Sequence, residues 1–185
     1  MADALAFTTF EQYLAEERAS QRRHELVCGR VYGLAGGSER HDLVAGLLYR
    51  ILAPGAEARG CRAFTSNRLV HTECGNAYYP DVTVVCSPAP HRQYETDPAL
   101  IVEVLSPSTQ DHDRREKAGA YAESSSLRLL LLVDPDVRRI EVARPADGQI
   151  RDWQAYGGGD VIFTPYGEID VDACYDAVDR SATTT

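Results

Sequence analysis

The chain has 185 residues, 44% of them apolar, and a formal net charge of −9. That length suits one domain with a substantial core, and the charge excludes a protein that coats nucleic acid non-specifically, where phosphate neutralisation dominates affinity. No apolar run reaches the roughly 18 residues of a membrane-spanning helix, and the N-terminus MADALAFTTFEQYL lacks the basic start of a signal peptide.

In chain order, Thr8-x-x-Glu11 predicts a capping box that opens a helix through about Arg18. A hairpin is expected next, with strands Glu25–Val27 and Arg30–Leu34 joined at Cys28-Gly29. Ser38 is a candidate N-cap for a second helix. Leu43, Val44, Leu47, Leu48, Ile51 and Leu52 recur at helical spacing up to Pro54. Three strand-like runs follow, Arg62–His71, Tyr79–Cys86 and Ala99–Leu105. Pro107 breaks the third, and Ser108-x-x-Asp111 predicts a helix to about Glu123. Leu127–Val133 is almost wholly apolar, as a strand buried on both faces must be. Asp134-Pro135-Asp136 then turns the chain into a Val137–Ala143 strand. A last strand near Val161–Phe163 and a short C-terminal element complete the pattern. It predicts a single α/β domain over residues 1–180 and a disordered tail at 181–185.

The five cysteines, Cys28, Cys61, Cys74, Cys86 and Cys174, are odd in number and form no CxxC pair. Such scatter is expected of free thiols in a reducing cytoplasm rather than of a disulfide framework or a zinc site. The histidines form no HExxH cluster.

Eighteen arginines stand against a single lysine, Lys117. Where charge alone is needed this chain uses arginine, so the retained lysine points to chemistry that a planar guanidinium cannot supply. A compact ammonium fits beside a metal-bound water or a phosphoryl oxygen. The simpler alternative is a lysine kept by chance in a helical pair with Asp113 or Tyr121.

Glu103 interrupts the apolar run Ala99–Leu105. An uncompensated carboxylate inside a buried strand costs several kcal/mol, so a cation, metal or side chain, must meet it. Asp81 heads the neighbouring run Val82–Val85. Carboxylates on adjacent strands can converge on one divalent ion, and hard oxygen donors suit magnesium or manganese. The competing readings are a turn residue for Asp81 and an arginine ion pair for Glu103.

These residues belong to a longer pattern. Tyr79-Pro80-Asp81, Ile101-Val-Glu103-Val-Leu-Ser-Pro-Ser-Thr109, Asp113-x-x-x-Lys117-x-x-x-Tyr121 and Leu131-Leu-Val-Asp-Pro135 together resemble the bacterial Uma-type family of restriction-endonuclease-like proteins, within the PD-(D/E)XK nuclease superfamily. His24-Glu25-Leu-Val-Cys-Gly29 and the helical His41 extend the likeness, which covers Phe7 to about Tyr175. The resemblance implies a mixed central sheet flanked by helices, with an added N-terminal helix and hairpin. It also implies a metal-dependent phosphodiesterase acting on DNA. Asp81, Glu103 and the backbone carbonyl of Val104 would hold Mg2+ or Mn2+, and Lys117 would orient or deprotonate the attacking water. The superfamily usually places its lysine two residues after the acid, where this chain has Leu105, so the lysine must come from the following helix. A regular helix would set Asp113, Lys117 and Tyr121 on one side.

Glu25 is open between a further acidic member of the site and a hairpin residue paired with an arginine. Tyr121 is expected at the core edge, and His41 on the helix surface. Cleavage of both strands needs two active sites, so a homodimer is expected, with its interface at the N-terminal hairpin or near Gly157–Phe163. The alternative function is a nuclease fold used for binding or regulation with little or no turnover, to which the acidic charge and the lack of a separate DNA-reading domain point. A glycosidase using Asp81 and Glu103 is disfavoured, because few aromatics flank them.

Overall fold

The computed structural model describes residues 7–34, 36–88, 91, 93–106 and 113–182. Helix α1 (Phe10–Ala19) opens on a capping box one residue later than the sequence suggests. Thr9 Oγ1 accepts from the Gln12 N–H at 3.3 Å and Gln12 Oε1 accepts from the Thr9 N–H at 3.0 Å. Strands β1 (His24–Val27) and β2 (Arg30–Gly33) form the expected hairpin. Cys28 and Gly29, with φ of 48° and 73°, supply the two left-handed positions that a two-residue turn requires.

Helix α2 (Glu39–Glu57) starts at the Ser38 cap and runs past Pro54, where a stop is expected. Proline removes one helical hydrogen bond, but tertiary packing overrides the loss, since Leu52, Ala53 and Ala56 are buried on this turn. Gly55 lets the helix lie against the chain at Tyr166; a Cβ there would stand 2.0 Å from that carbonyl oxygen.

One of the three central runs divides. Arg62–His71 becomes β3 (Arg62–Thr65) and β4 (Leu69–His71); a short β5 (Ala77–Tyr78) precedes the second run, of which Val82–Val85 forms β6. The break sends β3 and β4 into different sheets, and β5 and β6 are likewise divided between the two. Next come β7 (Tyr94–Glu95), β8 (Pro98–Val104), a π-helical turn (Asp113–Lys117), α3 (Ala118–Ala122), β9 (Leu129–Asp134) and β10 (Arg139–Ala143). The predicted cap at Ser108 and Asp111, and the side chain of Asp113, lie outside the described residues. Strands β11 (Trp153–Tyr156), β12 (Val161–Thr164) and β13 (Gly167–Asp170) lead into α4 (Val171–Ala182), which is longer than the short element expected and takes in the first two residues of the predicted tail.

A six-stranded sheet runs β11-β10-β9-β8-β6-β3, with β8 and β9 parallel and the other neighbours antiparallel. A five-stranded sheet runs β2-β1-β5-β4-β7. One face of the larger sheet packs on α2, α4 and the β12–β13 hairpin through Val82, Leu100, Val102, Leu131 and Val133. The other meets α3 and the smaller sheet through Ile101, Leu130, Tyr121, Tyr78 and Val27. The structure is therefore the mixed α/β fold expected, its central sheet covered on both sides. Among the described residues no helix is long and apolar enough to cross a membrane.

The expectation of free thiols is corrected at two positions. Cys61 and Cys86 are joined in a disulfide although 25 residues apart. Strands β3 and β6 are antiparallel with Arg62 opposite Val85, so the next step outward sets the two cysteines face to face. Sequence spacing carries no trace of that proximity. Cys28 and Cys74 are free and exposed, whereas Cys174 is buried, which pushes its thiol up to about 11.

Candidate active site

Register builds the site from the sheet outward. Val82 pairs with Val102 across β6 and β8, so the next position places Asp81 opposite Glu103. Their side chains are only 12% and 5% exposed. Along the same row Glu103 neighbours Leu132 on β9, which neighbours Glu141 on β10, so Glu141 shares the face that carries Glu103.

Lys117 supplies the cation that Glu103 demands. Its Nζ lies 3.0 Å from Glu25 Oε1 and 3.7 Å from Glu103 Oε1, with 8% of the side chain exposed. It also stands 5.6 Å above the centre of the Tyr78 ring. Glu25 comes from β1 in the other sheet and accepts a second bond from the Tyr79 N–H at 3.2 Å. Two sheets and one helix thus close on a single ammonium.

The π turn explains how the lysine reaches this point. The wider turn departs from the regular helix expected from Asp113 to Tyr121, and such turns often mark functional sites. Its Arg114 pairs with Glu141, while Lys117 meets Glu103 two strands away. One α-helical turn beyond, the Tyr121 hydroxyl donates to Glu103 Oε1 at 2.7 Å. Burial above all, reinforced by the charge of Glu103, holds the Tyr121 phenol well above its ordinary range, so it stays a donor.

Asp81 is held from the opposite side. Its Oδ2 accepts from the Val104 N–H at 2.7 Å and lies 3.3 Å from His41 Nε2. The hydrogen bond to Asp81 raises the His41 imidazole to about 9, against a downward pull from burial. His41 is 15% exposed, so the helix-surface placement is corrected: the first turn of α2 points into the site.

These donors fit a hard divalent cation. Asp81 and Glu103 offer carboxylate oxygens from neighbouring strands. In an extended strand a residue's N–H and C=O point to the same side, so the Val104 carbonyl faces the side on which its N–H meets Asp81. Among the described residues no three His, Cys, Asp or Glu side chains group to hold an ion by themselves. Two carboxylates and a carbonyl, with water completing the shell, match the habit of magnesium.

The structure gathers Glu25, Asp81, Glu103 and Lys117 at one end of the sheet. The partner of Glu25 is Lys117, not an arginine. Tyr121, expected at the core edge, is fully buried and bonded to Glu103. The Arg114–Glu141 pair escaped the sequence reading, although its signal was present. Glu141 interrupts the apolar alternation of β10 much as Glu103 interrupts β8.

Comparison with known proteins gives the family and the fold. Residues 9–165 match the Uma2 family model, described as "Putative restriction endonuclease". An uncharacterized protein of Synechocystis, slr1290, is 33% identical over 142 residues, covering 74% of each chain. A second from the same organism, sll1609, is 31% identical over 138 residues, covering 72% of this chain and 78% of its own. The crystal structure of a "putative nuclease belonging to DUF820" from Anabaena variabilis superposes with a TM-score of 0.76 at 15% identity, covering 92% of this chain and 98% of that one. That likeness shows the shared fold, and the sequence match settles the kinship: the chain belongs to the Uma2 family of restriction-endonuclease-like proteins.

Proposed function

We propose that the chain is a divalent-metal-dependent endonuclease that hydrolyses phosphodiester bonds in DNA. The observation that carries this reading is the position of the lone lysine, buried between Glu25 and Glu103 at the strand end where Asp81 also stands. A structural ion pair would need one carboxylate; this cluster has three.

In this reading Asp81, Glu103 and the Val104 carbonyl hold Mg2+ or Mn2+, which when bound lowers the pKa of a water and offsets charge on the phosphate. Glu25 fixes the Lys117 ammonium through its 3.0 Å contact. The Lys117 ammonium donates to and orients the attacking water, and stabilises charge gathering on the phosphoryl oxygens. Tyr121 keeps Glu103 in one rotamer through its 2.7 Å bond. Scission of both strands would engage two copies, in keeping with a homodimer.

Asp81→Asn and Glu103→Gln are each expected to abolish Mn2+ binding and plasmid cleavage. The fold should hold in both: Lys117 keeps Glu25 when Glu103 loses its charge, and Asp81→Asn should cost only what the charged His41 contact contributes. Calorimetric titration and urea unfolding of the same samples check both halves. Unchanged ion affinity in both variants would sink the site assignment. A wild type that binds the ion yet cuts no DNA would favour the non-catalytic binding reading, consistent with a net charge of −9.

A further inference from the structure

Three features around His41 have no part in the chemistry assigned above. Ser38 caps α2 by accepting from the His41 N–H at 3.2 Å, which fixes the backbone of that first turn. The imidazole spans two carboxylates, with Nε2 3.3 Å from Asp81 Oδ2 and Nδ1 3.4 Å from Asp42 Oδ1. Gly37 makes room for the ring. A Cβ on Gly37 would lie 2.7 Å from Nδ1 and 3.0 Å from Cγ of His41. Gly37 is not among the residues with positive φ, so the glycine is required there for space and not for backbone conformation.

A carboxylate rotates easily about its Cβ–Cγ bond, and either oxygen can ligate. At Asp81 the two donors converge on the same atom: the Val104 N–H and His41 Nε2 both meet Oδ2. They come from different elements, β8 and α2, so together they fix the carboxylate plane.

We propose that His41 is a positioning residue: it grips Asp81 Oδ2 so that Oδ1 is presented to the ion that Asp81 and Glu103 bind. The inference rests on the metal-site reading above and adds to it a residue that touches neither substrate nor ion. Donors that orient a ligating group typically contribute tenfold to a hundredfold in metal affinity, because the unoriented ligand must otherwise be ordered at the moment of binding.

The test is the Mn2+ dissociation constant of the full chain, read by the electron paramagnetic resonance of free Mn2+, together with the melting temperature of the metal-free protein. His41→Leu should weaken Mn2+ about tenfold to a hundredfold. His41→Gln, whose terminal amide can donate from near the Nε2 position, should restore most of the affinity. Gly37→Ala keeps the imidazole but displaces it, and should weaken Mn2+ as well; it stands as the deciding variant if His41→Leu does not fold. Equal affinity in wild type and His41→Leu, or in wild type and Gly37→Ala, overturns the proposal. So does an equal loss in His41→Leu and His41→Gln, which would make the bulk of the ring and not its donor the cause. Glu103→Gln in the same titration separates the two levels. If wild type and Glu103→Gln bind Mn2+ alike, the metal site itself is wrong and this inference falls with it. If only Glu103→Gln loses affinity, the site stands and the role of His41 is refuted.

Discussion

Two buried ion clusters stand on the same scaffold and are built on opposite principles. Around Glu95, 1% exposed, two arginines close completely: Arg62 donates to Oε1 and Oε2 at 2.9 and 3.1 Å, and Arg68 Nε donates to Oε1 at 2.8 Å. Both guanidiniums also lie over the Phe64 ring, at 5.3 and 5.2 Å. Cations outnumber the acid, and the contacts to Glu95 tie β3 and the start of β4 to β7. Around Lys117 the balance reverses. Among the described residues, Glu25 and Glu103 meet the Lys117 ammonium and Asp81 meets the His41 imidazole, through single contacts and not a bidentate fork. Planar arginine saturates a carboxylate where the purpose is to join strands, whereas a compact ammonium leaves carboxylate capacity for something else. In the metal-site reading proposed above, a divalent cation would join these acids.

The largest effect should come from breaking the closed cluster. Glu95→Ala leaves two guanidiniums facing each other in a partly buried site. It should cost about 3 kcal/mol, the low end for breaking a buried ion pair, because Arg62 and Arg68 can still reach water. Mn2+ affinity should be untouched, since the Lys117 cluster shares no residue with this one. Urea unfolding beside an ion titration checks the contrast, and a large loss of ion affinity would mean that the two clusters are coupled.

A smaller effect, and one of a different kind, should come from giving the open cluster the cation of the closed one. If Lys117 supplied charge alone, Lys117→Arg would be silent, because arginine serves that purpose throughout this chain. A longer, planar head pressed between Glu25 and Glu103 should instead misplace the water and slow cleavage about a hundredfold. Ion binding should persist, since Lys117 is not a ligand. Plasmid cleavage at matched magnesium occupancy decides it, with equal rates returning the lone lysine to an accident of composition.

The contrast also shows what could be read from the sequence. Glu103 was legible because an acid inside Ala99–Leu105 has no solvated face to occupy, and Asp81 because it heads the next strand. The Arg62–Arg68–Glu95 cluster was not, because Arg62 and Glu95 lie on short strands and Arg68 in the bend before β4, brought together only by long-range pairing; the break after Thr65 that sends β4 into another sheet leaves no periodic signature. The Cys61–Cys86 bridge was hidden for the same reason. Local chemistry fixed the β1–β2 hairpin, where Cys28-Gly29 must turn, and the Ser38 cap. It misplaced the end of α2, where packing of Leu52 and Ala56 outweighs Pro54. The π turn at Asp113–Lys117 is the sharpest case: the capping pattern at Ser108 and Asp111 suggests a plain helix, whereas the wider turn carries Arg114 to Glu141 and Lys117 to Glu103 and Glu25.

A third cluster, on the surface, sets the lower bound of the comparison. Arg138 bridges α4 to the start of β10, with Nη1 2.7 Å from Asp172 and Nη2 in contact with Asp176 and Asp179. The bond to Arg138 holds the Asp172 carboxyl below its ordinary value of 3.8, helped by the Gly159 N–H. Asp179 is lowered chiefly by Arg40. A carboxylate with a depressed folded pKa adds stability that is present above the unfolded value and lost as pH falls through the folded one. Arg138→Gln should therefore differ little from wild type at neutral pH, where exposed pairs are weak and screened by salt. Below pH 3.8 the wild type should lose its remaining advantage and the two curves should merge. Part of the acid sensitivity should persist in the variant, because Asp172 keeps Gly159 and Asp179 keeps Arg40. Urea midpoints across the acid range at low and high salt check this. A gap that widened with acid would mean that Arg138 acts through packing on α4 and not through its carboxylates, and the surface cluster would then belong with the closed one.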